Sequence, residues 1–353
     1  MQRKHHHLST FSVPRLSRRR SLQTFAYLFV TGLGLSTATA GCSPTSESSA
    51  PTASPAATSS QDSAASAKTL RIGYQKSSTA LNLLKTKQSL EPKLGKDGIS
   101  VTWNEFAAGP QMLEALNVGS IDFAYTGETP PVFAQAAGAP LVYVAYEPVG
   151  PAAEAILVQS DSPIQSVAEL KGKRVALNKG SNVHYLLVRA LEEAGLKYTD
   201  IEVAYLPPGD ARPAFEQKSV DAWVIWDPFQ AAAETAVNAR ILQDGQGLVE
   251  NRGFFLSTKS FTENNPAIVR SLLDELNTIS DWAKANPSEV SAFLNKELGI
   301  DKAALDKAES RRGYGVKPMD ATVIEGQQKI ADTFLELNLI PQKIDIASVI
   351  WNG

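Results

Sequence analysis

Short apolar segments alternate with amphipathic segments from residue 69 onward, in a chain of 353 residues. Short apolar runs predict β-strands, and runs with apolar positions three or four residues apart predict helices. In the first part of the chain, the predicted strands are 69–74, 101–106, 121–125 and 141–146. One predicted helix ends near Leu90, and a second spans 111–117. Strand–helix–strand alternation of this length indicates an α/β fold with a parallel or mixed sheet covered by helices.

The alternation restarts after residues 147–151, whose sequence EPVGP breaks regular structure and predicts a crossing into a second lobe. The predicted strands of this lobe are 155–158, 174–177, 202–205 and 222–225, and its predicted helices are 167–170, 183–193 and 211–217. The apolar run 253–256 predicts the return crossing, and the chain beyond Pro266 is predicted to be mainly helical, with amphipathic runs at 268–284 and 321–337. The predicted domains are lobe 1, residues 68–150 and 254–353, and lobe 2, residues 151–253.

One segment of each predicted lobe has a similar pattern. Residues 115–129 align without a gap with residues 214–228. In each copy, a helix end leads through a polar turn and an aliphatic–Asp pair, Ile121-Asp122 or Val220-Asp221, into a short apolar strand that stops at a polar loop. Such a repeat predicts two α/β lobes that present loops to a shared cleft, with a chance similarity of two ordinary helix–strand pieces as the alternative.

The first 41 residues have the pattern of an export signal peptide. Basic residues and no acidic residue precede Ser46, and a largely apolar run from Leu22 to Ala40 ends in small residues. The segment 17–22, SRRRSL, is also similar to a twin-arginine signal, so the Sec and twin-arginine routes both stay open. Cys42, the only cysteine, follows in a context that resembles the lipobox of bacterial lipoproteins. Either Cys42 is lipidated and becomes the N-terminus, or the leader is simply cleaved near Ala40.

The segment that follows, residues 42–67, is rich in Ser, Thr, Ala and Pro and is predicted to be a flexible tether, because it cannot bury enough apolar surface to offset its ordering entropy. Removal of the basic leader changes the formal net charge from −3 to −9. This negative charge argues against nucleic acid and an anionic membrane surface as partners. His184 is the only histidine beyond the leader, so a histidine-based zinc site is not expected. No metal and no cofactor are predicted.

Candidate ligand-binding residues lie at predicted strand ends and at one predicted helix start. Ser181 is a suitable N-cap for the helix after residue 180, and free N–H groups in the first turn can bind an anion, with a capped helix holding only water as the alternative. His184, in that first turn, is either a hydrogen-bond donor to the ligand or structural. Gln75, Thr126 and Gly127 end strands, which is the usual ligand position in open α/β sheets, although simple turns would look alike.

Three further residues near these loops have more than one interpretation. Trp226 can pack over an apolar ligand tail or belong to the core. Glu128 and Asp227 do not suit direct contact with an anion, so they are expected to hold backbone N–H groups or a basic partner. The sequence contains neither a G-x-S-x-G nucleophile elbow nor a G-x-x-x-x-G-K-[ST] phosphate loop, and these absences argue against two common enzyme classes.

Several segments together resemble those of one known family. They are 71–76 (RIGYQK), 106–111 (FAAGPQ), 114–122 (EALNVGSID), 130–139 (PPVFAQAAGA), 179–181 (KGS), 220–223 (VDAW), 225–228 (IWDP) and 341–345 (PQKID). Over nearly all of residues 70–351, the chain resembles the aliphatic sulfonate-binding proteins of bacterial ABC importers. The resemblance implies a two-lobed type 2 periplasmic binding protein fold whose ligand cleft lies between lobes that close over an alkanesulfonate.

The resemblance also implies a monomer in the periplasm, without enzymatic activity or cofactor, that delivers its ligand to an inner-membrane ABC permease for sulfur acquisition. The ligand-binding residues it implies are Gln75, Gly109, Pro110, Thr126, Gly127, Glu128, Ser181, Asn182, His184, Trp226 and Asp227. The chain departs from the family pattern at Glu128, where Asp is usual, and at Asn182-Val183, where Ser-Ser is usual. Two alternatives therefore stay open: a receptor for nitrate, taurine, bicarbonate or another small anion, and a pyrimidine-forming enzyme of thiamin synthesis with the same fold.

Overall fold

Two mixed β-sheets, each covered by helices, form the part of the chain that the computed structural model describes, residues 69–353. The predicted signal peptide, Cys42 and the predicted tether lie outside the described residues. The first sheet contains β1 (Thr69–Tyr74), β2 (Ser100–Glu105), β3 (Phe123–Gly127), β4 (Leu141–Tyr146) and β10 (Gly253–Thr258) in the order β2-β1-β3-β10-β4. Strand β10 is antiparallel to both of its neighbours, whereas β1 is parallel to β2 and β3.

The second sheet repeats this arrangement with the strands from the middle of the chain. It contains β5 (Glu154–Val158), β6 (Arg174–Leu177), β7 (Glu202–Tyr205), β8 (Ala222–Trp226) and β9 (Arg240–Asp244) in the order β7-β6-β8-β5-β9. Here β5 is the antiparallel strand in the fourth position, and β6 is parallel to β7 and β8. The two sheets are therefore the cores of two lobes with the same strand arrangement, which the chain links by passing from β4 to β5 and from β9 to β10.

Twelve helices of the described residues cover the two sheets and extend the C-terminal part of the chain. They are α1 (Thr79–Lys87), α2 (Glu91–Gly95), α3 (Gly109–Asn117), α4 (Thr129–Ala136), α5 (Asn182–Glu193), α6 (Pro208–Glu216), α7 (Phe229–Ala236), α8 (Lys259–Asn264), α9 (Pro266–Ala285), α10 (Pro287–Leu298), α11 (Lys302–Ser310) and α12 (Ala321–Glu336). The predicted helix 167–170 is a 3₁₀ turn instead, since four residues allow only one turn. None of the helices within residues 69–353 has the length and apolarity needed to span a membrane.

The sequence repeat occupies equivalent positions in the two sheets. The carboxylate of Asp122 accepts the backbone N–H of Arg71 at 2.8 Å, and the carboxylate of Asp221 accepts that of Arg174 at 2.8 Å. In return, each Asp donates its own backbone N–H to the carbonyl of the same arginine, again at 2.8 Å. The aliphatic–Asp pair therefore joins the start of β3 to β1 in the first sheet and the start of β8 to β6 in the second sheet.

Burial explains why the central strands are continuously apolar. All residues of β4, β5 and β8 are buried, because helices cover both faces of each sheet. The long helix α9 packs against α1 and joins the core of lobe 1 through an apolar stripe with helical spacing, formed by Ile268, Leu272, Leu276, Ile279 and Ala283. Two rigid lobes result, and their strand ends and helix starts face each other across a cleft.

Candidate ligand-binding cleft

A cavity of about 60 Å³ lies where the two lobes meet. Lobe 1 lines it with Gln75, Ser77, Gly109, Tyr125, Gly127 and Pro130, and lobe 2 lines it with Ala153, Ser181, Asn182, Trp226 and Asp227. The crossing segments contribute residues from 147–150 and 251–253, and the C-terminal part contributes Arg312 and Gly313. The sequence-based candidates Gln75, Gly109, Gly127, Ser181, Asn182, Trp226 and Asp227 therefore come together in one place.

The wall formed by lobe 1 is held rigidly at the ends of its strands. The side-chain amide of Gln75 donates a hydrogen bond to the carbonyl of Tyr125 at 3.1 Å, and the carbonyl of Gln75 accepts one from Asn82 at 2.9 Å. Gly109 begins α3 so close to Pro130 that an added Cβ would lie 2.7 Å from the proline ring. Glycine is therefore required at this position for α3 to approach the start of α4.

The wall formed by lobe 2 is the start of α5. Ser181 occupies the N-cap position, but its hydroxyl donates a hydrogen bond to the carbonyl of Asn178 at 2.7 Å and accepts none from the helix. The N–H of His184 donates to the carbonyl of Ser181 at 2.9 Å, so the N–H groups of Asn182 and Val183 are the ones that the side chain of Ser181 leaves available at the positive end of the helix dipole. Trp226, only 6% exposed, closes this wall and packs edge-on against Phe229 at 6.3 Å between ring centroids.

The two lobes touch directly beside the cavity. A Cβ added to Gly127 of lobe 1 would lie 2.9 Å from the side chain of Asn182 in lobe 2. That amide donates hydrogen bonds to the carboxyl group of Glu154 and to the side-chain oxygen of Asn251, the latter at 3.0 Å. Gly127 therefore permits a close contact between the lobes rather than only offering an N–H group.

Two arginines that the sequence-based prediction missed also line the cavity, Arg252 on the return crossing and Arg312 after α11. Each has a buried Nε–H without a hydrogen-bond partner among the described residues. Arg252 is ion-paired with Glu250 at 2.7 Å, and Arg312 lies 3.5 Å from Glu309. Although burial disfavours the charged form of Arg312, the carboxylate of Glu309 and other nearby acidic groups hold its pKa above the usual value. The Nε of Arg312 is the atom that faces Glu309, so the cavity wall carries positive charge and the Nε–H of Arg252 is its donor without an ion pair or hydrogen bond among the described residues.

Two buried acidic groups face the same space. Burial raises the pKa of Glu147 to about 7, although Arg312 and a hydrogen bond from the Tyr125 hydroxyl both oppose the rise. Burial likewise raises the pKa of Asp227 to about 6, although Arg311 opposes the rise from 3.2 Å. One oxygen of Asp227 also accepts the backbone N–H of Ala231 at 3.0 Å, so this carboxylate holds a backbone group and a basic partner, as expected.

Four candidates lie outside the lining of this cavity. The buried hydroxyl of Thr126 donates a hydrogen bond to the carbonyl of Gly127 at 2.9 Å. Glu128 is buried and accepts the backbone N–H of Arg252 at 3.1 Å, which again matches the expectation that it holds a backbone group. Burial raises the pKa of Glu128 to about 7. Pro110 lines a neighbouring groove between the lobes.

His184, the fourth of these candidates, is buried in an aromatic cluster. Its ring lies 6.1 Å from that of Phe133, 5.4 Å from that of Tyr198 and 5.2 Å from that of Phe334. Its Nδ1 accepts the N–H of Gly180 at 3.2 Å, and burial lowers the pKa of its imidazole to about 3. A neutral histidine in this position shapes the loop before α5. Within residues 69–353, no group of three or more His, Cys, Asp or Glu side chains is placed to hold a metal ion.

Comparison with known proteins gives concordant matches. A family model described as NMT1/THI5 like matches residues 95–290. A relative from Escherichia coli strain K12, named as an aliphatic sulfonates-binding protein, is 47% identical over 283 residues, which cover 80% of this chain and 88% of the relative. The alkanesulfonate-binding protein SsuA from Xanthomonas axonopodis pv. citri, solved with bound MOPS, is 42% identical with a TM-score of 0.78, covering 81% of this chain and 99% of that chain.

A more distant structure shares only the fold. The desulfurization enzyme DszB is 16% identical with a TM-score of 0.60, over 80% of this chain and 96% of that chain. The fold and the cleft thus define a two-lobed binding protein of the periplasmic binding protein class. The chain belongs to the NMT1/THI5-like family and, within it, to the aliphatic sulfonate-binding proteins.

Proposed function

We propose that this protein captures aliphatic sulfonates outside the cytoplasm and delivers them to the permease of an ABC importer in the inner membrane. The observation that carries the proposal is a small cavity between the lobes, lined by two arginines and the start of α5. The chain also matches an aliphatic sulfonates-binding relative over 88% of that relative's length. A captured sulfonate would supply sulfur to the cell.

The chemistry of the lining residues suits a sulfonate head group. A sulfonate is an anion with three oxygen acceptors, and the lining offers the guanidinium groups of Arg252 and Arg312 as donors. Charge-assisted hydrogen bonds to arginine are stronger than neutral ones, and backbone N–H groups at a helix start add to them. The sequence-based candidates that line the cavity, together with these two arginines, form the proposed binding site.

The same site argues for a receptor rather than an enzyme. The relative and the structure with more than 40% identity are both named as binding proteins, and the single histidine of residues 69–353 lies outside the cavity. We therefore propose that the chain has no enzymatic activity, and we separately propose that it acts as a monomer. Light scattering that gives the mass of two chains would contradict the second statement.

Ligand selectivity provides the direct test of the function. Thermal-shift and calorimetric titrations should show binding of methanesulfonate and butanesulfonate that is stronger than binding of nitrate, sulfate, bicarbonate or taurine. Arg252→Met should weaken sulfonate binding by about tenfold to a hundredfold, since a lost hydrogen bond to a charged group costs about 1.5–3 kcal/mol. Arg270→Met, at an exposed position of α9, is the matched control and should bind normally. A larger shift with nitrate, sulfate or bicarbonate would replace the sulfonate with that anion, and a larger shift with taurine would replace the unsubstituted alkanesulfonate with an aminosulfonate.

We also propose that the mature protein is periplasmic and is anchored to a membrane by a lipid on Cys42. The single cysteine follows an apolar leader and precedes the Ser/Thr/Ala/Pro-rich segment, which supports this location of the anchor. Metabolic labelling with a radioactive fatty acid should mark the wild-type protein and leave Cys42→Ala unlabelled. Equal labelling of the two proteins would show that Cys42 is not the anchor.

A further inference from the structure

Two consecutive residues of the return crossing, which leads from β9 to β10, are fastened to different lobes. The backbone N–H of Arg252 donates to the carboxyl group of Glu128, at the N-cap of α4 in lobe 1, at 3.1 Å. The side-chain oxygen of the preceding residue, Asn251, accepts the amide of Asn182, the first residue of α5 in lobe 2, at 3.0 Å. On this crossing, the change from one lobe to the other therefore falls between Asn251 and Arg252.

Asn251 also ties the return crossing to the first crossing, which leads from β4 to β5. Its side-chain amide donates to the carbonyl of Gly150 at 2.9 Å, and the N–H of Gly150 donates to the carbonyls of Glu250 at 3.2 Å and Asn251 at 3.3 Å. The φ of Asn251 is +48°, in the left-handed region, which asparagine adopts more readily than most residues with a Cβ. The turn at Asn251 is thus fixed by a local preference and by two side-chain hydrogen bonds.

The contact with Asn182 depends on a position at which the chain departs from the family pattern. Serine, which is usual there, carries one O–H donor, whereas the asparagine amide carries two N–H donors. Asn182 is only 8% exposed and donates one hydrogen bond to Glu154, which is fully buried in β5, and another to Asn251. A single hydroxyl donor cannot replace both bonds, so the junction with Asn251 is a feature of this chain's own sequence.

Arg252, which follows this turn, is the residue that the proposed site needs in a defined place. Its guanidinium lines the ligand cavity, lies 2.7 Å from Glu250 and lies 5.5 Å from the centroid of the Tyr146 ring. The side chain of Glu250 is 53% exposed, so this ion pair holds the guanidinium only weakly. The backbone of Arg252 is held more firmly, by Glu128 on one side and by the turn at Asn251 on the other. The direction in which the arginine side chain leaves the backbone therefore follows from that turn.

We propose that Asn251 is a positioning residue for sulfonate binding: its hydrogen bonds with Asn182 and Gly150 fix the turn that directs the Arg252 guanidinium into the ligand cavity. The inference rests on the proposed function, in which Arg252 donates to the sulfonate. Asn251 also lines the cavity, but both polar atoms of its side chain are already hydrogen-bonded within the protein. A residue that acts through Arg252 loses its effect when Arg252 is replaced, whereas a residue that contacts the ligand directly keeps its effect.

A double-mutant cycle measured by calorimetry with methanesulfonate tests this role. Asn251→Gly accepts the left-handed φ but removes both side-chain hydrogen bonds, so it should weaken binding by about tenfold. In the Arg252→Met background, the same change should weaken binding by less than about twofold. Asn182→Ser disturbs the junction without altering the crossing and should weaken binding by about threefold, again only while Arg252 is present. Asn238→Gly makes the matched change at an exposed asparagine with a φ of +53° and should bind normally.

Contrary outcomes separate the positioning role from the function. If Asn251→Gly weakens binding equally with and without Arg252, Asn251 acts by direct contact or through general stability, and the positioning role is wrong. Wild-type affinity of a folded Asn251→Gly, checked by thermal melting, also overturns the role but leaves the sulfonate receptor intact. If the wild-type protein does not bind methanesulfonate, the proposed function fails and the positioning role fails with it.

Discussion

At the scale of single residues, the cavity combines groups that attract an anion with groups that can repel it. Arg252 and Arg312 supply positive charge, whereas Glu147 and Asp227 lie in the same lining. A carboxyl group is neutral below its pKa and negative above it, so its effect on an anionic ligand depends on pH. Because burial raises the pKa of Glu147 to about 7, this group changes its charge within the physiological range.

This titration predicts that sulfonate affinity falls as the pH rises. Methanesulfonate keeps its charge throughout, but Glu147 ionises as the pH passes through about 7 and then repels the ligand. At an effective dielectric constant of about 20, two like charges roughly 8 Å apart repel by about 2 kcal/mol. Calorimetry should therefore show binding on the order of tenfold weaker at pH 8 than at pH 6.

Glu147→Gln isolates the contribution of this carboxyl group, because an amide oxygen can still accept the hydrogen bond from Tyr125. The variant should bind methanesulfonate at pH 8 more tightly than the wild-type protein, with a shallower pH profile. A residual dependence is expected from Asp227, whose pKa is about 6, and from Glu128, whose pKa is about 7. Asp281→Asn, at an exposed position of α9, serves as the control. A pH profile for Glu147→Gln that equals that of the wild-type protein would contradict the assignment.

At the scale of helices and strands, the sequence predicted the elements with strong apolar signals. The predicted strands 141–146, 174–177 and 202–205 are confirmed with the same bounds. Strand β9 was not predicted, because each of its residues is only half buried and its sequence RILQD has no clear alternation. Helix α4 was not predicted because its first turn contains Pro130-Pro131, which resembles a loop, although proline is tolerated in the first turn of a helix.

Residues of the cavity lining were predicted as candidates where they lie at strand ends or at a helix start, and they were missed in irregular segments. Gln75, Gly127, Ser181 and Trp226 lie next to strong strand or helix signals in the sequence. Arg252 and Arg312 lie 60 residues apart in irregular segments, and only the tertiary fold brings both to the cavity. A local pattern cannot distinguish them from other arginines, because their burial and their place in the cavity lining arise from packing.

At the scale of the whole molecule, the two lobes are joined by a seam next to the site. Helix α7 of lobe 2 packs against α11 of the C-terminal part through the small buried residues Ala231, Ala304 and Ala308. Arg311 bridges the lobes, since its guanidinium lies 3.2 Å from the Asp227 carboxylate and 2.6 Å from that of Glu234. Asp227 also lines the ligand cavity, so this seam couples the contact between the lobes to the shape of the site.

Breaking the bridge should shift the molecule toward an open form that binds ligand weakly. Arg311→Met keeps the length of the side chain but leaves Asp227, with 1% side-chain exposure, without its cationic partner, whereas Glu234 keeps Lys307. Loss of one partner from a buried ion pair costs about 3–5 kcal/mol, and opening of the cleft or protonation of Asp227 relieves part of this cost. We expect methanesulfonate binding at pH 8 to weaken by about tenfold or more, and small-angle X-ray scattering should show a larger radius of gyration without ligand.

The defect in binding should shrink below pH 6, where Asp227 in the wild-type protein already takes up a proton. Lys307→Met removes a cation that is 44% exposed from helix α11, which ends just before Arg311, and should have little effect, because exposed ion pairs contribute about 0–1 kcal/mol. Equal affinities and scattering curves for Arg311→Met and Lys307→Met would show that the bridge does not control closure.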